Sequence, residues 1–297
     1  MSDFIIHVTI MSGLYALLAL SLNLQAGLGG LMNFGQIALF ACGTYGAAIA
    51  FHFDFGAVSG FVLAVLAAAF LGWAFASVGR NLQADYWGIV TLALAEVIRI
   101  IATNEDWLTG GAQGIGGIPP LYAGLDGQTR QLVILATVLL LVLAAGLFCR
   151  HLIGGRYGLS IKIMREEPQL AASLGYDTIA LKRQLMAVSS VLAAVSGFLF
   201  AHYVSFVGPE QIDSSETFLI WAMIVVGGLG NNAGAIVGAF LLQFTFAFIP
   251  FVKDWIGLPS EYVAAGRLLL TGGGLIAFIL FRQSGIVPER VRGRRYA

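Results

Sequence analysis

Charge is what this sequence has least of. Asp, Glu, Lys and Arg make up 11% of its 297 residues, against roughly 25% in an average soluble chain. Sixteen basic and sixteen acidic side chains are too few to wet the surface of a globule this long. A soluble enzyme, a disordered chain and a nucleic-acid binder are excluded together. The formal net charge is zero, so there is no overall field to hold a polyanion. Cysteine is almost absent. Cys42 and Cys149 are too few for a disulfide framework, and both lie in apolar runs, where a free cysteine acts as a small buried hydrophobe. Four histidines, His7, His52, His151 and His202, are scattered near apparent membrane edges with no metal-ligand spacing, so no metal site is expected. No G-x-x-x-x-G-K-[ST] occurs and no serine or cysteine catalytic set can be assembled. The chain is therefore not expected to be an enzyme, to hydrolyse ATP itself or to bind a cofactor.

What is abundant is apolar. Hydrophobic residues make up 58% of the chain, in runs near the ~20 residues needed to cross a bilayer. Such runs lie at about 4–25, 31–51, 57–78, 86–103, 130–149, 184–204, 233–250 and 263–281, with a shorter one at 216–229. Segments such as FVLAVLAAAFLG do not alternate as barrel strands do. The expected fold is an all-α polytopic membrane protein, a single domain over 1–297, with about nine transmembrane or half-membrane helices. The first run has no basic residue before it and another apolar run directly after it, so a retained span is expected rather than a cleaved signal. With the N-terminus outside, twelve of the sixteen basic residues fall inside: Arg80, Arg150, Arg156, Lys162, Arg165, Lys182, Arg183, Arg282, Arg290, Arg292, Arg294 and Arg295. That orientation puts the C-terminus in the cytoplasm and asks for an odd number of crossings. The basic tail PERVRGRRYA reads as an anchor touching anionic lipid.

Two polar stretches break the apolar pattern: an outer loop at about 104–129 and an inner one at about 150–183. The inner loop is far longer than a turn between helices requires. Pro168 suits a first helical position and Gly175 a position just past a helix end, with Glu166 and Glu167 ahead at the positive end of the dipole. This predicts a two-turn helix at 168–174 with Leu170, Ala171 and Leu174 on one side. Too short to stand alone, it has to pack against helix ends, a lipid surface or another protein. Its glutamates do not suit a lipid surface.

Within the membrane, Glu96 and Arg99 lie three residues apart in ALAEVIRI. Ionisable groups inside a span are candidates for function; equally, the two can neutralise each other while Arg99 snorkels outward. Asn23, Gln25, Asn33, Gln36 and Thr44 surround the glycines Gly27, Gly29 and Gly30, and Gly227, Gly228 and Gly230 form a second glycine–amide segment, GGLGNNAG. Irregular backbone at membrane depth needs protein or a water cavity around it. The amides either recognise a zwitterion along a path or hold helices together.

The stretch GRYGLSIKIMREEPQLAASLGYDTIALKRQLMAVSSVLAAVSGFLFAHYVSFVGPE closely resembles branched-chain amino acid ABC transporter permeases. So do YALLALSLNLQAGLGGLMNFGQIALFACGTYGAA and IVVGGLGNNAGAIVGAFLL, and FRQSGIV resembles the family's closing FRPQGL. DYWGIVTLALAEVIRI followed by LTGGAQGIGGIPP resembles the LivM-type branch rather than its LivH-type companion. Gln36 stands where many relatives have His, and Gln283–Ser284 where the family usually has Pro-Gln. The resemblance implies a permease subunit of an ATP-driven importer of branched-chain or related hydrophobic amino acids in a bacterial inner membrane. It implies a LivH-type second permease, two ATP-binding subunits that carry ATP and Mg, and a periplasmic substrate-binding protein as partners, with no nucleic acid. It also implies that the inner loop carries a coupling helix docking onto the ATPase, with Arg165, Glu166, Ala171, Ala172, Ser173, Leu174 and Gly175 in that segment. The translocation path would then take its candidates from Asn23, Asn33, Gln36, Glu96 and Arg99. Related permeases carry urea, short amides or other amino acids, so the substrate stays open. An ATP-independent secondary transporter is the alternative from another class, with Glu96 as its one good ion-coupling candidate.

Overall fold

The computed structural model describes residues 2–80, 82–256, 261–282 and 284–289. In chain order its helices are α1 (Ser2–Leu22), α2 (Gln36–His52), α3 (Ala57–Val78), α4 (Ala84–Asn104), α5 (Asp106–Thr109), α6 (Gly127–Gly154), α7 (Arg156–Glu166), α8 (Pro168–Ser173), α9 (Thr178–Val204), α10 (Ser214–Gly227), α11 (Asn232–Ile256) and α12 (Glu261–Phe281). α1 runs on into a π-helical turn, Asn23–Leu28. Among the described residues six helices are long and apolar enough to cross a bilayer: Asp3–Leu28, Ala57–Val78, Asp85–Asn104, Gly127–Gly154, Thr178–Val204 and Asn232–Phe251. Gln36–His52 and Ser214–Gly227 are apolar but shorter. The protein is a multi-pass helical membrane protein.

Helix placement follows from how each helix is covered. The most apolar windows of α1 and α9 are 67% buried, whereas those of α3, α4 and α6 are only 28% buried. α1 and α9 are thus central, and the other three present Phe61, Leu66, Phe70, Ile89, Leu140 and Leu143 outward, as lipid-facing helices do. α9 packs on α1, α2 and α3, while α1 also meets α6 and α11. With lipid outside, no hydrophobic driving force pulls helices together, and close van der Waals approach does the work. Gly43 and Gly197 make that approach possible at the α2–α9 crossing. A β-carbon on Gly43 would collide with the Ala194 carbonyl, and one on Gly197 with the Phe40 carbonyl. At the base of this group Lys182 and Arg183, early in α9, lie over the rings of Trp87 and Trp73, 5.8 and 5.4 Å from their centroids.

The two ends of the bundle differ. At one end a two-residue strand β1 (Ile115–Gly116) pairs with β2 (Phe206–Val207), antiparallel with Ile115 opposite Val207, and α5 packs on α2 and α4. His202 at this end makes a 2.8 Å hydrogen bond with the Pro119 carbonyl. The polar stretch 104–129 is thereby knitted to the loop after α9. Asp213 caps α10 there by accepting the Ser215 amide at 2.8 Å. Hydrogen bonds from Ser215, hydroxyl then amide, hold its carboxyl below the usual carboxylate range, outweighing its partial burial, and Arg99 nearby adds to them. Asp213→Ala is expected to cost about 1 kcal/mol. Because the folded value is lowered, the contribution is full above the unfolded value near about pH 4 and fades as pH falls through the folded one. Melting curves of the pair at neutral and acid pH should therefore differ at the first and converge at the second.

The other end carries α7 and α8. Here the helix expected at 168–174 is present over Pro168–Ser173, with Pro168 at its first turn and Gly175 left-handed at φ +85°. One expectation needs correcting. Ala171 is fully buried, but Leu170 and Leu174 are 51% and 58% exposed and do not share its covered side. α8 lies against α7 and α9, and the methyl group of Ala171 is the side chain it buries. The flanking helix α7 was not anticipated. Its low mean hydropathy hid it, although Gly158, Ile161 and Met164, all buried, recur at helical spacing. The basic tail from residue 290, together with Gln283, lies outside the described residues.

Candidate functional site

The centre of the α7–α8 half is polar and sealed. Asn23, Gln25, Asn33 and Gln36 are all fully buried. The chain leaves α1 through the π turn, runs irregularly from residue 29 to 35 and re-enters helix at Gln36. Inside hydrocarbon such a break is tolerable only if its polar groups are satisfied by protein. Asn33 Nδ2 donates to Gln25 Oε1 at 2.7 Å and to Gln36 Oε1 at 3.2 Å, while its Oδ1 accepts the Gly35 amide at 2.8 Å. Gln36 Nε2 donates to Ser21 Oγ and Gln25 Nε2 to Ser189 Oγ, both at 2.8 Å. Ser21 Oγ donates to the Ser189 carbonyl at 2.6 Å. Neighbouring helices close the ring: Thr91 Oγ1 of α4 accepts the Phe34 amide at 3.0 Å, Trp221 Nε1 of α10 donates to the Asn33 carbonyl at 3.0 Å, and Thr217 Oγ1 accepts the Ile37 amide at 3.1 Å. Thr44 stands apart, bonded only to its own helix at Ala41 O, 3.1 Å.

Asn23 belongs to a second cluster. Its Oδ1 accepts the Gly230 amide at 2.8 Å and its Nδ2 donates to Asn232 Oδ1 at 3.0 Å. The two glycine segments are thus in direct contact. A β-carbon on Gly27 would stand 2.5 Å from the Gly230 nitrogen. Gly30, Gly228 and Gly230 have positive φ, of +67°, +126° and +82°. Gly29 at φ −93° ends the π turn, and Gly227 ends α10. Val287 N donates to the Gly227 carbonyl at 2.9 Å, so the chain after α12 is folded onto this same place.

Glu96 and Arg99 lie in the second half of α4. Arg99 Nε donates to Glu96 Oε2 at 2.9 Å and Oε1 at 3.1 Å. Their side chains are 41% and 35% exposed on the chain alone. They are remote in role from the amides: one set is sealed, the other open.

The segment around α8 divides as well. Glu166, Ala172, Ser173, Leu174 and Gly175 are exposed, Ala171 is buried, and Arg165 is turned inward. Two clefts open into the bundle, one lined by Ile10, Leu14, Val138, Leu199 and His202, the other by Leu24, Leu28, Ile153, Ile161 and Lys162. Each holds about 10 Å³, room for about one water and not for an amino acid. Ser21, Ser189, Trp221 and Thr217 take part in these networks, and Glu289 lies 3.3 Å from Arg165 Nη1; none of the five was singled out from the sequence. The Ser189–Ser190 pair within an apolar span was the available signal. The indole and Glu289 gave none.

A multi-pass bundle that seals amides in its interior, follows its first helix with an irregular segment and holds a short exposed helix outside its spans suits a membrane permease component. Residues 4–278 match the model of the family described as branched-chain amino acid transport system / permease component, and the chain belongs to that family. It is 28% identical to the high-affinity branched-chain amino acid transport system permease protein LivM of Salmonella typhimurium, over 95% of this chain and 70% of that one. It is 26% identical to the probable LivM permease of Methanocaldococcus jannaschii, over 97% of this chain and 94% of the relative. To the LivH permease of Escherichia coli it is 25% identical, over 94% and 91%. No solved structure matches.

Proposed function

We propose that this chain is the LivM-type permease subunit of an ATP-driven importer of branched-chain or related hydrophobic amino acids in a bacterial inner membrane. Its partners are a LivH-type second permease, two ATP-binding subunits and a periplasmic binding protein. The observation that carries the reading is α8: a proline-initiated helix of six residues, anchored by buried Ala171 and exposing Leu170, Ala172, Ser173 and Leu174. An apolar surface on so short a helix, preceded by Glu166 and Glu167 rather than by basic residues, suits another protein better than a lipid surface. ATP and Mg stay on the partner, whose closure pushes α8, and the membrane helices exchange one access for the other around the path. The count of basic residues supports an outer N-terminus and a cytoplasmic C-terminus, with α8 inside.

The half-exposed Glu96–Arg99 pair supports a path along α4. An ion pair this open does not face lipid at moderate cost. Water or the second permease covers it, and a path between two permease subunits supplies both. The 10 Å³ clefts within this chain fit the same reading. The decisive experiment is purification of the tagged chain from its native membrane in gentle detergent, with identification of what accompanies it. A second permease and nucleotide-binding subunits are expected. A chain that comes alone, monodisperse, and moves amino acids without ATP sinks the reading in favour of a secondary transporter.

A further inference from the structure

Arg165 sits where the α7–α8 unit, both glycine segments and the chain after α12 come together. Its side chain is 23% exposed. Nη1 donates to the carbonyl of Gly27, inside the π turn, and lies 3.3 Å from Glu289 Oε2. Its Cγ packs against Gly30, where a β-carbon would stand 2.9 Å away. Glu289 in turn is 2.8 Å from where a Gly230 β-carbon would be, and Gly230 is tied to Asn23, the first residue of the π turn. Around this point the carbonyls of Leu24, Gln25 and Ala26 receive the amides of Gly29, Leu31 and Gly30, and that of Gly27 receives the guanidinium.

We infer that Arg165 is a positioning residue that holds the π turn in register with the α7–α8 unit, so that a displacement of α8 reaches the buried amides. A π turn carries one residue more than an α turn and is frequent at functional sites. A coupling route needs an element with two discrete arrangements rather than proximity alone; in this inference the π turn is that element, wound with the extra residue in the present structure and relaxed to α in the other state. The π turn is continuous with Gln25, and Gln25 binds Asn33 and Ser189 directly. The route from α8 to the polar centre therefore runs through one side chain and one helical turn. The family resemblance puts Arg165 among the docking residues. The geometry assigns it inward, while its neighbour Glu166, 3.6 Å away and 72% exposed, faces out with the rest of the segment's exposed residues.

The inference rests on α8 being the docking helix, so its test has one arm that does not. In the purified full chain in detergent, Arg165→Gln is expected to speed amide exchange of residues 29–31 about tenfold while the centres of α2 and α9 stay protected. Unchanged exchange there overturns it. If that variant is not recovered from the membrane, Glu289→Gln, which frees one of the two tethers, is expected to give a smaller acceleration, and none at all is equally fatal. In the second arm, the transporter assembled from all its subunits is given labelled leucine, isoleucine and valine. Arg165→Gln is expected to retain the ATP-binding subunits and ATP hydrolysis but to move several-fold less amino acid per ATP, with Arg165→Lys partly restored. Loss of the ATP-binding subunits would make Arg165 a docking residue and overturn the inference. Failure of the unaltered chain to bring those subunits down sinks the function proposed above, and the exchange arm still decides the role of Arg165.

Discussion

Ala172→Trp is expected to abolish most transport while leaving the isolated chain as stable as before. Ala172 is exposed and Ala171, its neighbour, is fully buried. A tryptophan at 172 therefore meets nothing in this chain, but it stands where a partner would sit on α8. Disrupting one of the few hot spots near the centre of an interface costs about 2 kcal/mol or more, which is about thirtyfold in affinity. The same tryptophan at 171 has to enter space that holds a methyl group. It should lower the melting temperature of the chain itself, since overpacking costs roughly 1–3 kcal/mol. The pair of variants separates docking from folding. Co-purification of the ATP-binding subunits and melting of the isolated chain are the two readouts. Unimpaired transport by Ala172→Trp would remove the main support for α8 as the contact with the ATPase.

The sequence announces its helices because lipid imposes a simple rule: about twenty apolar residues, then something polar. Most apolar runs became helices with ends close to where hydropathy changed, including the short one now seen as Ser214–Gly227. The exceptions are informative. The run beginning at 31 becomes helix only at Gln36, because Asn33 uses its side chain to cap Gly35 and bridge two glutamines. Composition registers these residues as a polar interruption, but which partner each amide takes is a matter of tertiary geometry. α7 was hidden for the opposite reason: it buries only one narrow stripe, so mean hydropathy misses it. α8 was legible because proline and glycine fix backbone angles locally, whatever surrounds them. What was not legible was direction. Arg165 and Glu166 are adjacent in sequence, yet one reaches the Gly27 carbonyl and the other faces outward. Glu289, which completes that contact, lies more than a hundred residues away at the start of what reads as a basic tail.

Asn33→Leu separates the two readings of the buried amides. If they hold helices together, the substitution leaves the Gly35 amide and the Gln25 and Gln36 carbonyl oxygens without the partner they now share. An orphaned buried group costs roughly 1–3 kcal/mol. Polar contacts between membrane helices are worth less, about 0.6 kcal/mol on average, because the unfolded chain in the bilayer also finds partners. The first figure governs here, since all three groups are in a fully closed interior that neither water nor lipid reaches. With three groups affected, a loss of about 2–4 kcal/mol is expected, seen as a fall of several degrees in melting temperature. Asn104→Leu is the control: that side chain is exposed and bonds only the Ile100 carbonyl of its own helix, at 2.7 Å, so its change should be within about 0.5 kcal/mol. Should the amides also line the path in another state of the transporter, Asn33→Leu will in addition change which amino acids are carried, whereas a purely structural role leaves the relative rates for different amino acids as they were. The closed geometry favours the first outcome: both N–H groups of the Asn33 amide have an acceptor within 3.2 Å, and Gln36 Nε2 already donates to Ser21 Oγ. A substrate would have to break those bonds before it could use them.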